Sequence, residues 1–242
     1  MPAPDTPAPA LPGCSDCELR ALCLPAGLSR HTLARLASIV AAPRPVPRGQ
    51  ALFRTGQPLR SLYAVRSGSF KTCLGHAPAH HQVTGFPMAG DLLGLDGIGS
   101  AHHSVDAIAL APSQVCAIPY LQLAELAHES RELQRQLHRS LSREIVRDHG
   151  VMRMLGGMRA DERLAAFLLD LTRQLQARGR PAAPLVLRMT RAELGSHLGL
   201  KLETVSRSFS RLQDDGLLAV RQRRIRILDA EGLARLAGGA AA

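Results

Sequence analysis

The pattern that most constrains the fold of this chain lies between residues 190 and 228. Residues 190–193 (Thr-Arg-Ala-Glu) have the spacing of a capping box, which begins a helix. Gly199 permits a sharp turn after that short helix, and a second helix is expected over about 202–212. Alternating apolar residues within 217–228 then predict a small hairpin. Helix, short turn, helix and hairpin in this order predict a winged helix-turn-helix.

The second of these helices carries candidate DNA-binding residues. Glu203, Ser206 and Arg207 are spaced so that they share one helix face. Arginine can pair bidentately with guanine, and glutamate can accept a hydrogen bond from the cytosine amino group. An ordinary surface pair between Glu203 and Arg207 is the alternative, but the surrounding pattern favours DNA recognition. Arginines of the hairpin are expected to contact phosphates: Arg221, Arg223, Arg224 and Arg226.

Charge and composition support an anionic partner. The formal net charge is +10 and the calculated pI is about 10.6, which favours nucleic acid first and an anionic membrane surface second. No apolar stretch suggests a membrane span and no signal segment opens the chain. We therefore expect a cytoplasmic protein that needs no membrane and whose cysteines stay reduced.

Cysteine spacing predicts a thiolate site. Cys14, Cys17 and Cys23 lie close together in sequence, and Cys116 follows about a hundred residues later. Four thiolates are the usual ligands of an iron–sulfur cluster and also of structural zinc, so spacing alone leaves both open. Cys73 has no partner in this scheme and is interpreted as a non-ligating thiol.

The middle of the chain predicts a β-roll followed by a long helix. Short apolar runs alternate with glycines over 48–120, which is typical of an antiparallel roll or barrel. A stripe at helical spacing then predicts a coiled-coil-like dimer helix, with packing on its own domain as the alternative. The stripe consists of Leu137, Leu141, Ile145, Asp148, Met152 and Leu155.

These segments predict an α+β protein. Its parts are an N-terminal antiparallel β-roll sensor domain, a long dimerisation helix and a C-terminal winged helix-turn-helix. The predicted boundaries are a disordered lead-in at 1–13, the cysteine segment and roll at 14–118, the dimerisation helix at 119–157 and the DNA-binding domain at 158–242.

Several motifs together resemble the FNR branch of the CRP/FNR transcription regulators. They are CSDCELRALC (14–23), LYAVRSGSFK (62–71), VTGFPMAGDLLGLDGIG (83–99), ADERLAAF (160–167) and MTRAELGSHLGLKLETVSRSF (189–209). The resemblance runs over nearly the whole chain. Its most specific elements are the cysteine spacing and the Glu-x-x-Ser-Arg sequence of the recognition helix.

The resemblance implies an oxygen-responsive regulator with a [4Fe-4S] cluster on Cys14, Cys17, Cys23 and Cys116. It implies a homodimer on a palindromic TTGAT…ATCAA site, a contact with RNA polymerase through loop 74–81, and DNA release when oxygen, or nitric oxide, attacks the cluster. We further expect that two Asp148 carboxylates, close to Ile145 on the dimer helix, repel each other and keep the cluster-free protein apart.

The sequence departs from relatives at three places. Cyclic-nucleotide-binding relatives have a Gly-Glu and an arginine in the roll, whereas 90–96 reads Gly-Asp-Leu-Leu-Gly-Leu-Asp without such an arginine, so nucleotide binding is not expected. Loop 74–81 lacks acidic residues. Lys201 stands where a Ser or Thr would cap the recognition helix.

Two other readings keep the DNA-binding function. Structural zinc on the four cysteines would give a regulator that ignores air, and a small organic effector in the roll would make the cysteines incidental. An enzyme is not expected, because the sequence contains no nucleophile–base pair, paired acids or phosphate-cradling glycine loop.

Overall fold

In the computed structural model, the described residues are 14, 17–75, 82–181 and 183–238. The lead-in predicted at 1–13 lies outside these residues, as does most of loop 74–81. Within the described part of the chain, no helix has the length and apolarity that crossing a membrane requires.

Seven helices and eleven strands are defined in these residues. The helices are α1 (Arg30–Ile39), α2 (Tyr120–Glu129), α3 (Arg131–Gly157), α4 (Ala160–Ala177), α5 (Arg191–Leu198), α6 (Leu202–Asp214) and α7 (Ala230–Leu236). The strands are β1 (Arg44–Val46), β2 (Ala51–Phe53), β3 (Ser61–Ser67), β4 (Phe70–Leu74), β5 (Gln82–Gly85), β6 (Leu92–Leu93), β7 (Asp106–Ala109), β8 (Ser113–Pro119), β9 (Leu185–Val186), β10 (Leu218–Arg221) and β11 (Arg224–Ile227).

The predicted antiparallel roll is confirmed. Strands pair in the orders β1-β8-β3-β6 and β2-β7-β4-β5, and every pair is antiparallel. Side chains from both sheets form one apolar core, since alternate residues of each strand point inward. This core includes Val46, Phe53, Val65, Phe70, Leu93, Ala107 and Val115.

A second core joins the cysteine segment, residues 14–23, to the roll and to the helices that follow the roll. Leu24 and Leu28, just after the third cysteine of the segment, are buried there. They pack in the same cluster as Leu36 of α1, Leu123 of α2 and Leu133 of α3. The segment is therefore anchored by apolar side chains next to the start of the long helix.

The helical stretch predicted over 119–157 is divided into two helices. Ser130 between them has extended backbone angles (φ −118°, ψ 105°), and its hydroxyl accepts a hydrogen bond from the Leu133 amide at 3.4 Å. Serine is a favoured N-cap because its oxygen satisfies an amide that has no partner inside the helix. As a result α2 packs on the roll and α3 alone forms the long helix.

The predicted winged helix-turn-helix is also confirmed. Its capping box is present, with Glu193 N donating to Thr190 Oγ1 at 3.1 Å and Thr190 N donating to Glu193 Oε2 at 2.7 Å. The hairpin of β10 and β11 joins β9 in one sheet, and α7 adds a short helix that the sequence patterns did not predict. Residues 158–238 are called the DNA-binding unit below.

Two glycine substitutions give a prediction about packing in this unit. A Cβ on Gly195 of α5 would lie 2.6 Å from the backbone oxygen of Leu200, whereas a Cβ on Gly150 of α3 would meet nothing within 4 Å. We expect Gly195→Ala to lower the free energy of unfolding by about 1–3 kcal/mol, because backbone has to shift. Gly150→Ala should raise it by about 0.5–1 kcal/mol, because alanine favours helix.

Chemical denaturation of the two variants beside the unmodified protein measures both effects. Equal stability of Gly195→Ala and Gly150→Ala would contradict the close approach of α5 to the turn that follows it.

Candidate metal centre and nucleic-acid interface

The cysteine segment is a series of tight turns. Arg20 N donates to Cys17 O at 2.9 Å, Cys23 N donates to Leu19 O at 3.0 Å, and Ala26 N donates to Cys23 O at 3.1 Å. These bonds form consecutive turns over residues 17–26. The side chain of Leu24, which is 1% exposed, fixes the segment to the core beneath it.

The structure brings the four predicted cysteines to one cavity. Cys116 lies on β8 opposite Ala64 of β3, on the part of the roll that the cysteine segment covers. The cavity is lined by Cys14, Cys17, Cys23, Cys116 and Arg66 together with mainly apolar neighbours, among them Leu19, Leu24, Leu36, Val40 and Ile118. Four sulfur atoms therefore share a mainly apolar site.

Burial dominates the electrostatics of these thiols. It raises the pKa of Cys23 to about 12, and it raises the pKa of Cys14, with the nearby Cys116 and Cys17 adding to the effect. Burial also raises the pKa of Cys116, although the positive charge and hydrogen bond of Arg66 oppose this shift. Thiols of this kind keep their protons at neutral pH, so a metal has to displace those protons when it binds.

Arg66 is a site residue that sequence reasoning missed. It lies on β3 two positions after Ala64, and Ala64 is the residue paired with Cys116. Ala64 and Arg66 both line the cavity, and Arg66 stands where the register of β3 shifts between Val65 and Ser67. The position of Arg66 at the cavity can be recognised only when the pairing of β3 with β8 is known.

The four cysteines that line this cavity supply thiol sulfur as their donor atoms. Among the described residues, no group of three or more His, Cys, Asp or Glu side chains could hold a single metal ion. A zinc ion requires every sulfur within about 2.3 Å of one centre, whereas each iron of a four-iron cluster takes its own thiolate. Four thiols at one cavity are the donor set that a four-iron cluster takes.

Cys73 does not line this cavity. It is fully buried on β4, in the other sheet of the roll, opposite Asp106 of β7. This position gives it the surroundings of a small core residue and makes it a suitable control thiol.

The recognition helix α6 presents the three predicted residues on its exposed face. Glu203, Ser206 and Arg207 are exposed, whereas Val205 and Phe209 are buried against the rest of the unit. None of the ion pairs found among the described residues joins Glu203 to Arg207; instead the Arg207 guanidinium lies 3.5 Å from Thr204 Oγ1. This geometry leaves the predicted face accessible for base contacts.

Further basic residues flank the recognition helix on the hairpin. Gln222 has a positive φ of 56° at its tip. The exposed arginines of this hairpin are Arg221, Arg223, Arg224 and Arg226. As predicted for α6, no side chain caps its first turn at Lys201. The first amides of α6 therefore have no side-chain acceptor at the cap position.

Arg163 connects the long helix to the turn of the helix-turn-helix. Its guanidinium donates to Leu155 O at 3.0 Å and, from Nε, to Met158 O at 2.8 Å, at the end of α3. It also donates to Leu198 O at 2.9 Å, at the end of α5. One side chain thus satisfies carbonyls at two helix ends and fixes their relative position.

The long helix leaves an apolar strip exposed in the single chain. Leu133, Ser140 and Met154 are its buried side chains, whereas Ile145, Val146 and Met152 are 55%, 65% and 59% exposed. Asp148 is exposed beside them. An exposed apolar strip of this kind is typical of an interaction surface, and it includes both residues predicted for the dimer switch.

Comparisons with known proteins agree with this architecture. Residues 43–130 match the cyclic nucleotide-binding domain family, and residues 162–236 match the Crp-like helix-turn-helix domain family. The fumarate and nitrate reduction regulatory proteins of Salmonella typhimurium (strain LT2) and Escherichia coli (strain K12) are each 42% identical to the chain over 225 residues, 93% of this chain and 90% of each relative.

Other relatives give the same picture. The transcriptional regulatory protein btr of Bordetella pertussis is 41% identical over 225 residues, which is 93% of both chains. The solved structure of FixK2 from Bradyrhizobium japonicum has a TM-score of 0.75 at 27% identity, covering 83% of this chain and 99% of that one.

Proposed function

The chain belongs to the CRP/FNR family, on the branch of the fumarate and nitrate reduction regulatory proteins, and we propose that it is an oxygen-sensing regulator controlled by a [4Fe-4S] cluster. As a member of this family it is a DNA-binding transcription regulator and not an enzyme. Oxygen sensing, the cluster and its ligands are the proposed part. Reduced thiolates as ligands fit a cytoplasmic location.

The observation that carries the proposal is the convergence of four cysteines at one mainly apolar cavity. Cys14, Cys17, Cys23 and Cys116 would each bind one iron. When bound, the cluster supplies iron that oxygen, or nitric oxide, can attack. Arg66 offsets part of the negative charge of the thiolates, and Leu24 keeps the inner side of the site dry.

Loss of the four bonds between the cysteine sulfurs and the cluster irons would leave the cysteine segment held less firmly. Without them the segment is held by its own turns and by Leu24 and Leu28. The same region touches the long helix, since Ser29 N donates to Glu132 Oε2 at 2.9 Å and Thr32 Oγ1 lies 3.4 Å from Ser130 Oγ. Cluster binding can therefore stabilise one arrangement of the start of α3.

The DNA partner would be a palindrome of the TTGAT…ATCAA type bound by a homodimer. Two recognition helices related by a twofold axis match two half-sites, and the exposed strip on α3 provides a surface for the second copy. Glu203, Ser206 and Arg207 would contact bases, and the hairpin arginines would contact phosphates. RNA polymerase remains a proposed partner, although most of its expected contact loop, 74–81, lies outside the described residues.

Asp148 gives a prediction about dimerisation. Two Asp148 carboxylates, one from each copy of α3, would repel each other across the dimer interface by on the order of 1–4 kcal/mol, depending on how far water is excluded. We expect Asp148→Ala to lower the Kd for dimerisation of the cluster-free protein by about fivefold or more. Analytical ultracentrifugation without iron measures this directly.

Glu231→Ala is the control, because Glu231 is an exposed carboxylate on α7, outside the long helix. It should leave the monomer–dimer equilibrium unchanged. An Asp148→Ala protein that stays as monomeric as the unmodified chain would contradict the proposed repulsion between the two carboxylates.

Metal analysis tests the proposal against the zinc alternative. Protein purified without air should be brown, with about four irons and four sulfides per chain, and should bleach in air. A colourless protein with stoichiometric zinc would contradict the cluster while leaving DNA binding intact.

A further inference from the structure

A buried carboxylate connects three parts of the molecule that the proposed switch must connect. Asp91, which is 8% exposed, lies in the loop before β6 of the roll. Its Oδ1 accepts from Arg147 of α3 at 2.8 Å and from Arg178, directly after α4, at 2.7 Å. Its Oδ2 accepts from the Met88 amide at 2.9 Å. Sensor, long helix and DNA-binding unit thus meet at a single side chain.

Arg178 is committed to this junction. Its side chain is also 8% exposed, and it donates to Ala89 O at 3.0 Å in addition to Asp91. A third bond to Gln174 O at 2.8 Å ties the guanidinium to its own helix. A buried charge that loses its partner is strongly unfavourable, so this geometry fixes α4 against the roll.

The cysteine segment covers the junction. A Cβ on Gly90, which has a φ of 98°, would lie 3.1 Å from Leu22 Cβ and 3.9 Å from Arg178 Nε. Leu22 therefore packs on the backbone next to Asp91, and Cys23 follows it in sequence. Leu22, Cys23, Asp91, Ser140, Arg147 and Arg178 are among the residues that line one cavity of about 190 Å³.

We propose that Asp91 is a positioning residue through which the cysteine segment controls the docking of the DNA-binding unit. This inference rests on the proposed function. With the segment in place, Leu22 packs beside the buried Asp91–Arg178 pair and strengthens it, because charges attract more strongly where the surroundings are less polar. When the segment leaves, this pair becomes exposed to water and weakens, and the end of α4 loses a contact with the roll.

A second set of contacts joins the roll to α5 of the DNA-binding unit. Lys71 of β4 pairs with Glu193 of α5 at 2.8 Å, and Val83 N of β5 donates to Ser196 Oγ at 2.9 Å. Aromatic contacts add to these, with the ring centroids of Phe86 and of Phe167 on α4 5.9 Å apart. The Asp91 junction is the contact that lies beside Leu22 of the cysteine segment. The angle of the recognition helix then depends on whether that junction is closed.

The test compares Asp91→Asn with Asp106→Asn. Asp106 is a control of similar burial, since its side chain is 9% exposed and pairs with Arg54 within the roll. For each protein, the Kd for a TTGAT…ATCAA duplex is measured with the cluster and after its removal. The logarithm of the ratio of the two Kd values gives the coupling free energy between the cluster site and the DNA site.

We expect Asp106→Asn to keep the ratio of the unmodified protein and Asp91→Asn to lower it by about tenfold or more. Iron content and absorption of Asp91→Asn should equal those of the unmodified protein. Hydrogen exchange of the α4 amides gives a second readout. In the unmodified protein exchange should rise when the cluster is removed, whereas in Asp91→Asn it should be raised already with the cluster bound.

An unchanged ratio in Asp91→Asn, or a ratio that falls only together with iron content, would overturn the positioning role. If Asp91→Asn does not fold, Arg178→Lys carries the same expectation, because it keeps the charge but replaces three guanidinium nitrogens, each bonded to a different acceptor, by one ammonium nitrogen. Failure of the unmodified protein to bind iron would contradict the proposed function and this inference together. If the unmodified protein and Asp91→Asn both lose DNA affinity by the same factor when the cluster is removed, this inference alone is contradicted.

Discussion

Cys23→Ser protein purified without air is expected to be colourless and to hold less than about one iron per chain, against about four in the unmodified protein. Serine keeps the size of the side chain but not the thiolate that iron prefers. Cys23 is the innermost of the four thiols, with the pKa raised to about 12 by burial, and it sits between the turns of the segment and Leu24.

The same change should remove the response of DNA binding to air. The Kd for the palindromic duplex should be the same before and after exposure, and equal to that of the air-exposed unmodified protein. Cys73→Ser is the matched control, since Cys73 is buried on the other sheet, and it should keep both iron and the response. A brown, air-sensitive Cys23→Ser protein would show that Cys23 is not a ligand.

Arg207→Ala is expected to lose sequence discrimination. A bidentate arginine–guanine pair contributes about 1–3 kcal/mol of preference over the wrong base, so affinity for the palindrome should fall by roughly 5–150-fold per half-site. Affinity for an unrelated duplex should change far less. The exposed position of Arg207 on α6, with Val205 and Phe209 holding the opposite face, makes loss of folding a poor explanation for such a result.

Arg223→Ala on the hairpin is the control for charge alone. Removing a phosphate contact should weaken binding to all duplexes by a similar factor and reduce the salt slope by about one unit. Fluorescence anisotropy with matched and mismatched duplexes at several salt concentrations separates the two effects. Equal losses on both duplexes in Arg207→Ala would mean that Arg207 contacts only phosphate.

Elements with local signals were predictable from the sequence. The capping box at Thr190, the turn at Gly199 and the alternating hairpin each depend on residues a few positions apart, and each is present in the structure. The roll was predicted as a class because its glycines and short apolar runs are typical of antiparallel sheets. Ser130 carried a local N-cap signal as well, but the continuous helical pattern around it concealed the break.

Long-range contacts were not predictable in this way. The pairing of Ala64 with Cys116 depends on sheet register across about fifty residues, so the role of Arg66 could not be seen in advance. Arg163 and Asp91 look like ordinary surface charges in sequence. Their importance comes from meeting partners on distant elements, namely the carbonyl oxygens at helix ends for Arg163 and two arginines for Asp91.

Binding of one anaerobic sample to the palindromic duplex, titrated before and after exposure to air, tests the central claim most directly. We expect tight binding that weakens by at least about tenfold as the brown colour fades, in line with a coupling free energy above about 1.4 kcal/mol between the sites. Binding of equal strength before and after air, in protein that contained iron at the start and lost it, would contradict a cluster-controlled switch.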